Sequence, residues 1–290
     1  MEKKKNDFIA QGSILAVASI LVRVMGMIYR IPMTAIIGDK GNGFYSYAYS
    51  VYTILLLLSS YSLPLAVSKM VSAKAQLGQW RNVKRVFICA IAFAIGIGTT
   101  FGLIVLIGAQ FFTRVFFHSE LAAIALRFMA PTILIMALLG VFRGFFQGLQ
   151  NTLPTAVSQI VEGLINAIMS VVFAYFLFDF GHGMDAASGT TDLGYAWGAA
   201  GGAIGTGAGA LAGLIFCFIL FVAYRKILAV NISRDKTGTQ QEYGDIFRLM
   251  LSIALPVILS TALYNLIELV DGSLFNNIMA SKGMEDVKDS

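Results

Sequence analysis

Residues 12–37 read GSILAVASILVRVMGMIYRIPMTAII. The run is apolar and long enough to cross a bilayer, whose ~30 Å hydrocarbon core takes about 20 residues of helix. Arg23 falls near its middle and Arg30 two turns further on. A charged side chain at the bilayer centre costs roughly 2.5–3.5 kcal/mol on insertion scales, so such residues face a bundle interior or a water-filled cavity. Residues seven apart on an α-helix share nearly one face. Gly26, between the two arginines, leaves that face open. The arrangement suits an anion. Two plainer readings compete with it. The arginines pair with carboxylates inside a bundle, or Arg30, nearer the outer boundary, snorkels to the interface.

Composition extends this reading to the whole chain. It is 57% hydrophobic and 13% charged, with mean hydropathy +0.76. Soluble domains carry about 25% charged residues. The chain therefore reads as an all-α, polytopic helical membrane protein. Uninterrupted apolar runs such as Phe87–Phe112 favour helices over barrel strands, which alternate and are shorter. The net charge of +5 is no nucleic-acid signature, because the basic residues cluster between apolar runs, where they set topology. Cys89 and Cys217 lie in apolar runs and read as inert buried thiols. Lys3, Lys4 and Lys5 before an apolar run resemble a signal peptide. Arg23 interrupts that run and no small-residue cleavage site follows, so an uncleaved first span is expected.

Seven spans can be drawn: Gly12–Ile37, Gly43–Val67, Val86–Phe112, Leu121–Phe146, Pro154–Phe178, Gly194–Tyr224 and Ile246–Ala280. Pro64 and its neighbouring serines predict a kink late in the second. With the N-terminus in the cytoplasm, the inner segments hold 14 basic residues, Arg143 among them, and the outer segments four. That asymmetry predicts an N-inside, multi-pass protein of the bacterial plasma membrane. Gly201, Gly205, Gly209 and Gly213 repeat every four residues, spacing that lets transmembrane helices approach closely. No strand precedes them and no suitably placed lysine accompanies them, so a phosphate-binding loop is not indicated.

No enzyme motif emerges, and neither a catalytic residue nor a metal site is expected. His118 and His182 fall in expected outer loops without a metal-ligand partner at helical spacing. The polar signal lies inside the spans. Gln159, Glu162 and Asn166 share a face in span five, and Glu162 is the only carboxylate there. It is expected to neutralise Arg23 or to couple a proton or cation. Asn265, Glu268 and Asp271 form a second stripe in span seven, again suited to a cation, a proton relay or a water-filled cleft.

Four stretches carry a resemblance: RGFFQGLQNTLPTAVSQIVEGLINA (143–167), GDKGNGFYSYAYSVYTILLLLSSYSLPLAVSKMVS (38–72), VRVMGMIYRIP (22–32) and IALPVILSTALYNLIELVDG (253–272). They resemble the polysaccharide-type transporters of the multidrug/oligosaccharidyl-lipid/polysaccharide (MOP) exporter superfamily. Within it they are similar to the stage V sporulation protein B-like branch, relatives of lipid II flippases. The resemblance implies two six-helix lobes around a central cavity that opens alternately to each side. It implies movement of undecaprenyl-diphosphate-linked saccharides or peptidoglycan precursors between leaflets, with lipid-linked substrate and membrane lipids as partners and no nucleic acid. Cavity-facing basic residues of the first helix hold the diphosphate in that family; Arg23 matches, and Arg30 matches with one residue of slippage. No cofactor is implied beyond coupling by Na+, H+ or the membrane potential. The family's length implies that residues 1–228 form the N-terminal lobe, 229–245 a cytoplasmic linker, and 246–290 the first helix of a shortened second lobe with a polar tail. A weak echo between 38–41 (GDKG) and 280–283 (ASKG) sets Asn265 opposite Arg23, as parallel repeats would. A cation-coupled multidrug exporter and a non-transporting membrane fragment are the alternatives. The deep arginines argue against the first.

Overall fold

The computed structural model describes residues 2–60, 62–260 and 263. The described secondary structure is entirely helical: α1 (Glu2–Ser60), α2 (Leu63–Gln76), α3 (Trp80–Phe117), α4 (Ala122–Gly148), α5 (Leu153–Ser188), α6 (Leu193–Ser233) and α7 (Tyr243–Ser260). The apolar part of α1, Gly12–Leu57, is 46 residues long. At 1.5 Å per residue it would reach about 70 Å, more than twice a hydrocarbon core. It crosses twice, because the chain folds back at Gly38. There φ is 64° and ψ 179°, a conformation essentially reserved for glycine. The reversal is visible in the contacts. Tyr29 and Tyr45 line the same cavity although 16 residues separate them along the sequence. A continuous helix would hold them about 24 Å apart. The two arms of α1 and helices α3–α6 therefore supply six of the seven expected crossings; of the seventh, Ile246–Ala280, α7 is the described part, and most of the rest lies outside the described residues.

Several boundaries differ from the sequence reading. The expected loop around residues 38–42 shrinks to one glycine. The kink expected near Pro64 is a break: α1 stops at Ser60 and α2 restarts at Leu63 with Pro64 in its first positions, where the missing N–H costs nothing. Helix α5 runs to Ser188 through an expected loop and carries His182 on its last turns. Gly181 makes this extension fit, since a Cβ there would lie 2.6 Å from the Leu193 carbonyl oxygen at the start of α6. The buried Asp185 then accepts hydrogen bonds from the Leu193 and Gly194 amides (3.0 and 2.8 Å) and caps α6 from a neighbouring helix. His118 closes α3 in the left-handed region, with φ 52°.

The glycine ladder of α6 packs as expected. Gly201 and Gly205 lie directly on the backbone of Phe173–Ala174 and Ser170 of α5, leaving no room for a Cβ. At Gly209 a Cβ would sit 2.6 Å from the Glu162 carbonyl oxygen. Gly144 and Gly148 of α4 make the same close approach to α2. Two apolar clusters fill the bundle. One joins α2, α3, α4, α6 and α7 around Phe87, Phe142, Phe145 and Phe221. The other joins α1, α3, α4, α5 and α6 around Met33, Tyr45, Leu126 and Ile133.

Helix α6 continues to Ser233, so residues 229–233 are helical rather than linker. The segment from Asp235 to Tyr243 is strapped to the start of α3. Asp235 accepts from the Arg81 amide (2.9 Å), which no residue of its own helix can satisfy. The fully buried Asn82 reads the strap on both edges, donating to the Thr239 carbonyl (3.1 Å) and accepting from the Gln241 amide (3.0 Å). Arg85 donates to the Gln241 carbonyl and to Gln240 Oε1, and its guanidinium lies 5.1 Å from the Tyr243 ring centre. The Arg81 amide and the Thr237 hydroxyl and amide hold the Asp235 carboxyl at a pKa of about 2.

Candidate functional site

A cavity of about 570 Å³ opens on the face of the bundle formed by α1. Its depth follows from the two clusters. Along α4 the order is Ile133 in one cluster, Met136 on the cavity and Leu139 in the other. Along α6 it is Ala203, then Thr206 and Ala210 on the cavity, then Cys217. The polar site thus lies between two apolar layers, at mid-depth in the bundle, where transporters of repeated helices place their ligands.

The first arm of α1 brings Arg23, Gly26, Tyr29 and Arg30 to this cavity. Both arginines are exposed, and among the described residues neither pairs with an acid. The seven-residue spacing therefore sets both guanidiniums on the cavity side of the arm. Gly163 of α5 lets the arm approach, since a Cβ there would meet Met25 and Val22 at 3.1–3.4 Å. The second arm contributes Tyr45, Tyr49 and Tyr52 at i, i+4 and i+7. Tyr45 and Tyr52 are buried and structural. The Tyr45 hydroxyl lies 3.3 Å from that of Thr206 and ties the arm to α6. Tyr49 is the open ring, 39% exposed. It stacks on Tyr45 at 5.8 Å, and Arg30 lies within electrostatic reach of its hydroxyl. This tyrosine wall escaped the sequence reading, although its helical spacing was visible.

Helix α5 adds Glu162 and Asn166, as their shared face predicted. Gln159 does not reach the cavity lining, and its Oε1 is buried with no partner among the described residues. The Asn166 side-chain oxygen Oδ1 accepts from the Ser170 hydroxyl (2.8 Å). Glu162 does not pair with Arg23. Its partner is Arg143, whose Nη2 donates to Oε2 at 2.7 Å. Arg143 Nε also donates to the Ser158 hydroxyl (2.9 Å), which donates on to the Thr155 carbonyl. Arg143 was counted among the inner topology residues. It lies inside the expected span, and within α4 its side chain, 11% exposed, turns onto α5, where Glu162 and Ser158 hold it. Asn265, Glu268 and Asp271 lie outside the described residues.

This architecture has relatives. The family model of a polysaccharide biosynthesis protein matches residues 8–284. The chain belongs to that family. Two Bacillus subtilis (strain 168) proteins are each 26% identical to it. Stage V sporulation protein B aligns over 90% of this chain and 48% of its own length. Lipid II flippase MurJ aligns over 94% and 50%. The chain spans about half the length of these curated relatives. Among solved structures, a MOP superfamily transporter from Pyrococcus furiosus Vc1 (DSM3638) superposes with TM-score 0.59 at 15% identity. The match covers 86% of this chain and 51% of that one. A MATE crystallised with MaD3S gives 0.60 at 15% identity over 86% and 52%. The helical bundle is the fold of one half of these transporters.

Proposed function

We propose that this chain provides the substrate-binding lobe of a flippase for lipid-diphosphate-linked saccharide or peptidoglycan precursors of the cell envelope. One observation carries the reading: Arg23 and Arg30 line a mid-depth cavity without a described acidic partner. Two guanidiniums offer paired donors to phosphate oxygens. The neighbouring Tyr49 hydroxyl adds a neutral hydrogen-bonding group for phosphate or sugar. The lipid II flippase among the relatives supports the substrate class. In this reading the N-terminus lies in the cytoplasm, Arg30 sits outward of Arg23, and lobe rocking alternates access. Na+, H+ or the membrane potential drives the cycle, with Asn166 and the span-seven acids as candidate coupling residues.

The test uses the purified chain in detergent with farnesyl diphosphate, a short polyprenyl diphosphate, as the probe. Binding should weaken about tenfold or more in Arg23→Ala, the loss of one charge-assisted pair being worth roughly 1.5–3 kcal/mol. The matching substitution in a full-length relative should slow flipping in proteoliposomes. Unaltered binding and unaltered flipping would remove the clamp.

A further inference from the structure

Glu162 faces the same cavity as Arg23 and Arg30, yet its charge is answered from behind. Arg143 is not on the cavity lining. It reaches Glu162 through the α4–α5 interface and is fixed at two points, by Glu162 Oε2 and by the Ser158 hydroxyl. Ser158 itself is fully buried. Gly209 and Gly213 press α6 onto this stretch of α5, so the pair has little room to rearrange. Three guanidiniums thus share one carboxylate across the described part of the site. Without Arg143, Glu162 would be free to offset an arginine of the cavity or to hold a cation.

We infer that Arg143 sets the polarity of the cavity: it keeps Glu162 neutralised from outside the site, so that both cavity arginines stay available to an anion. The inference rests on the flippase reading and deepens it, because it names the residue that selects diphosphate over cation. Arg143 is a positioning residue and touches no ligand. Charge at mid-depth acts over several ångströms in a medium of low effective dielectric, so a guanidinium behind the wall still decides what the wall attracts.

The test is a charge series on the purified chain, read with two probes, farnesyl diphosphate and tetraphenylphosphonium. Arg143→Met exposes Glu162. It should weaken the diphosphate about tenfold, an electrostatic change of a size expected for partly buried charges, and should gain binding of the phosphonium. Glu162→Gln should tighten the diphosphate. The double variant Arg143→Met with Glu162→Gln restores the wild-type charge balance. It should return the diphosphate to within about threefold of wild type and lose the phosphonium. Arg143→Lys keeps the charge and should bind as wild type, which separates charge from packing. If Arg143→Met proves too unstable to purify, Glu162→Gln and the double variant carry the same comparison. A double variant as weak as Arg143→Met would overturn the inference, since Arg143 would then act by contact or by supporting the fold. Weaker diphosphate binding in Glu162→Gln would also overturn it. Failure of the wild type to bind farnesyl diphosphate would remove the flippase clamp. The polarity inference would then stand or fall on whether Arg143→Met gains the phosphonium and the double variant loses it again.

Discussion

At the scale of single residues, two kinds of constraint govern this chain, and they call for different experiments. Gly38 is a conformational constraint. A Cβ there would meet only the edge of Tyr195, at 3.6 Å, so the cost of substitution lies in the backbone. Gly38→Ala should destabilise the α1 reversal by about 1–3 kcal/mol, seen as a lower Tm in detergent. Gly43, with nothing within 4 Å of an added Cβ, is the control. Gly43→Ala should be neutral or slightly stabilising, as alanine exceeds glycine within helices by roughly 0.5–1 kcal/mol. Asp235 is an electrostatic constraint. Its carboxyl, held at about 2 by the Arg81 amide and Thr237, lies below its unfolded value. A depressed carboxylate lends stability that is present above the unfolded pKa, near 3.9, and lost as pH falls through the folded one. Amide exchange of residues 237–241 should therefore accelerate between about pH 4 and pH 2, and Asp235→Asn should remove that transition. Arg23 and Arg30 were legible from sequence, since charge inside an apolar run is costly and stands out. Arg143 was not: near the inner end of a predicted span it reads as one more topology charge, and only the packing of α4 on α5 gives it Glu162 and Ser158 as partners.

At the scale of elements, the glycine ladder decides how the site is assembled. Helices α5 and α6 approach until backbone meets backbone at Gly201 and Gly205. That contact sets Thr206 and Ala210 opposite Glu162 and Asn166 around the cavity. Gly205→Ala drives a methyl into Ser170 and should cost about 1–3 kcal/mol, with weaker farnesyl diphosphate binding as the helices separate. A Tm and an affinity equal to wild type would contradict this packing. The ladder itself was readable as a four-residue repeat. Its partner helix was not, because spacing shows that a face is small without showing what lies on it. The α1 hairpin illustrates the same limit. Glycine, aspartate and lysine at 38–40 announced an interruption, but a turn of one residue depends on how Gly41 meets Tyr195 and Ile37 meets Gly198 of α6.

At the scale of the whole molecule, the strap from Asp235 to Tyr243 determines where α7 begins. Asn82 holds it on both hydrogen-bonding edges from a fully buried position. Asn82→Ala leaves two strap groups without partners, a loss of roughly 1–3 kcal/mol each where they stay buried. Trypsin should then cut faster at Arg234 and Lys236, with the helical core resisting as before. Equal cleavage rates would show that the strap is held elsewhere. The curated relatives are about twice as long as this chain. Arg23 and the apolar residues Val17, Ile20, Leu21 and Val24 beside it are exposed on the first arm of α1, on the face where the cavity opens. The sequence by itself determined that this is a multi-pass helical membrane protein, with an arginine pair inside its first apolar run and small residues where helices touch. Hydropathy, periodicity and the cost of buried charge are local properties, and each can be read along one segment. Tertiary structure alone decided which charges meet. Arg143 and Glu162 lie on different helices, the tyrosines of the second arm face the arginines only because the chain folds back at Gly38, and the α6 glycines bring the cavity's far wall within reach. Those facts follow from contacts between segments, and no single segment carries them.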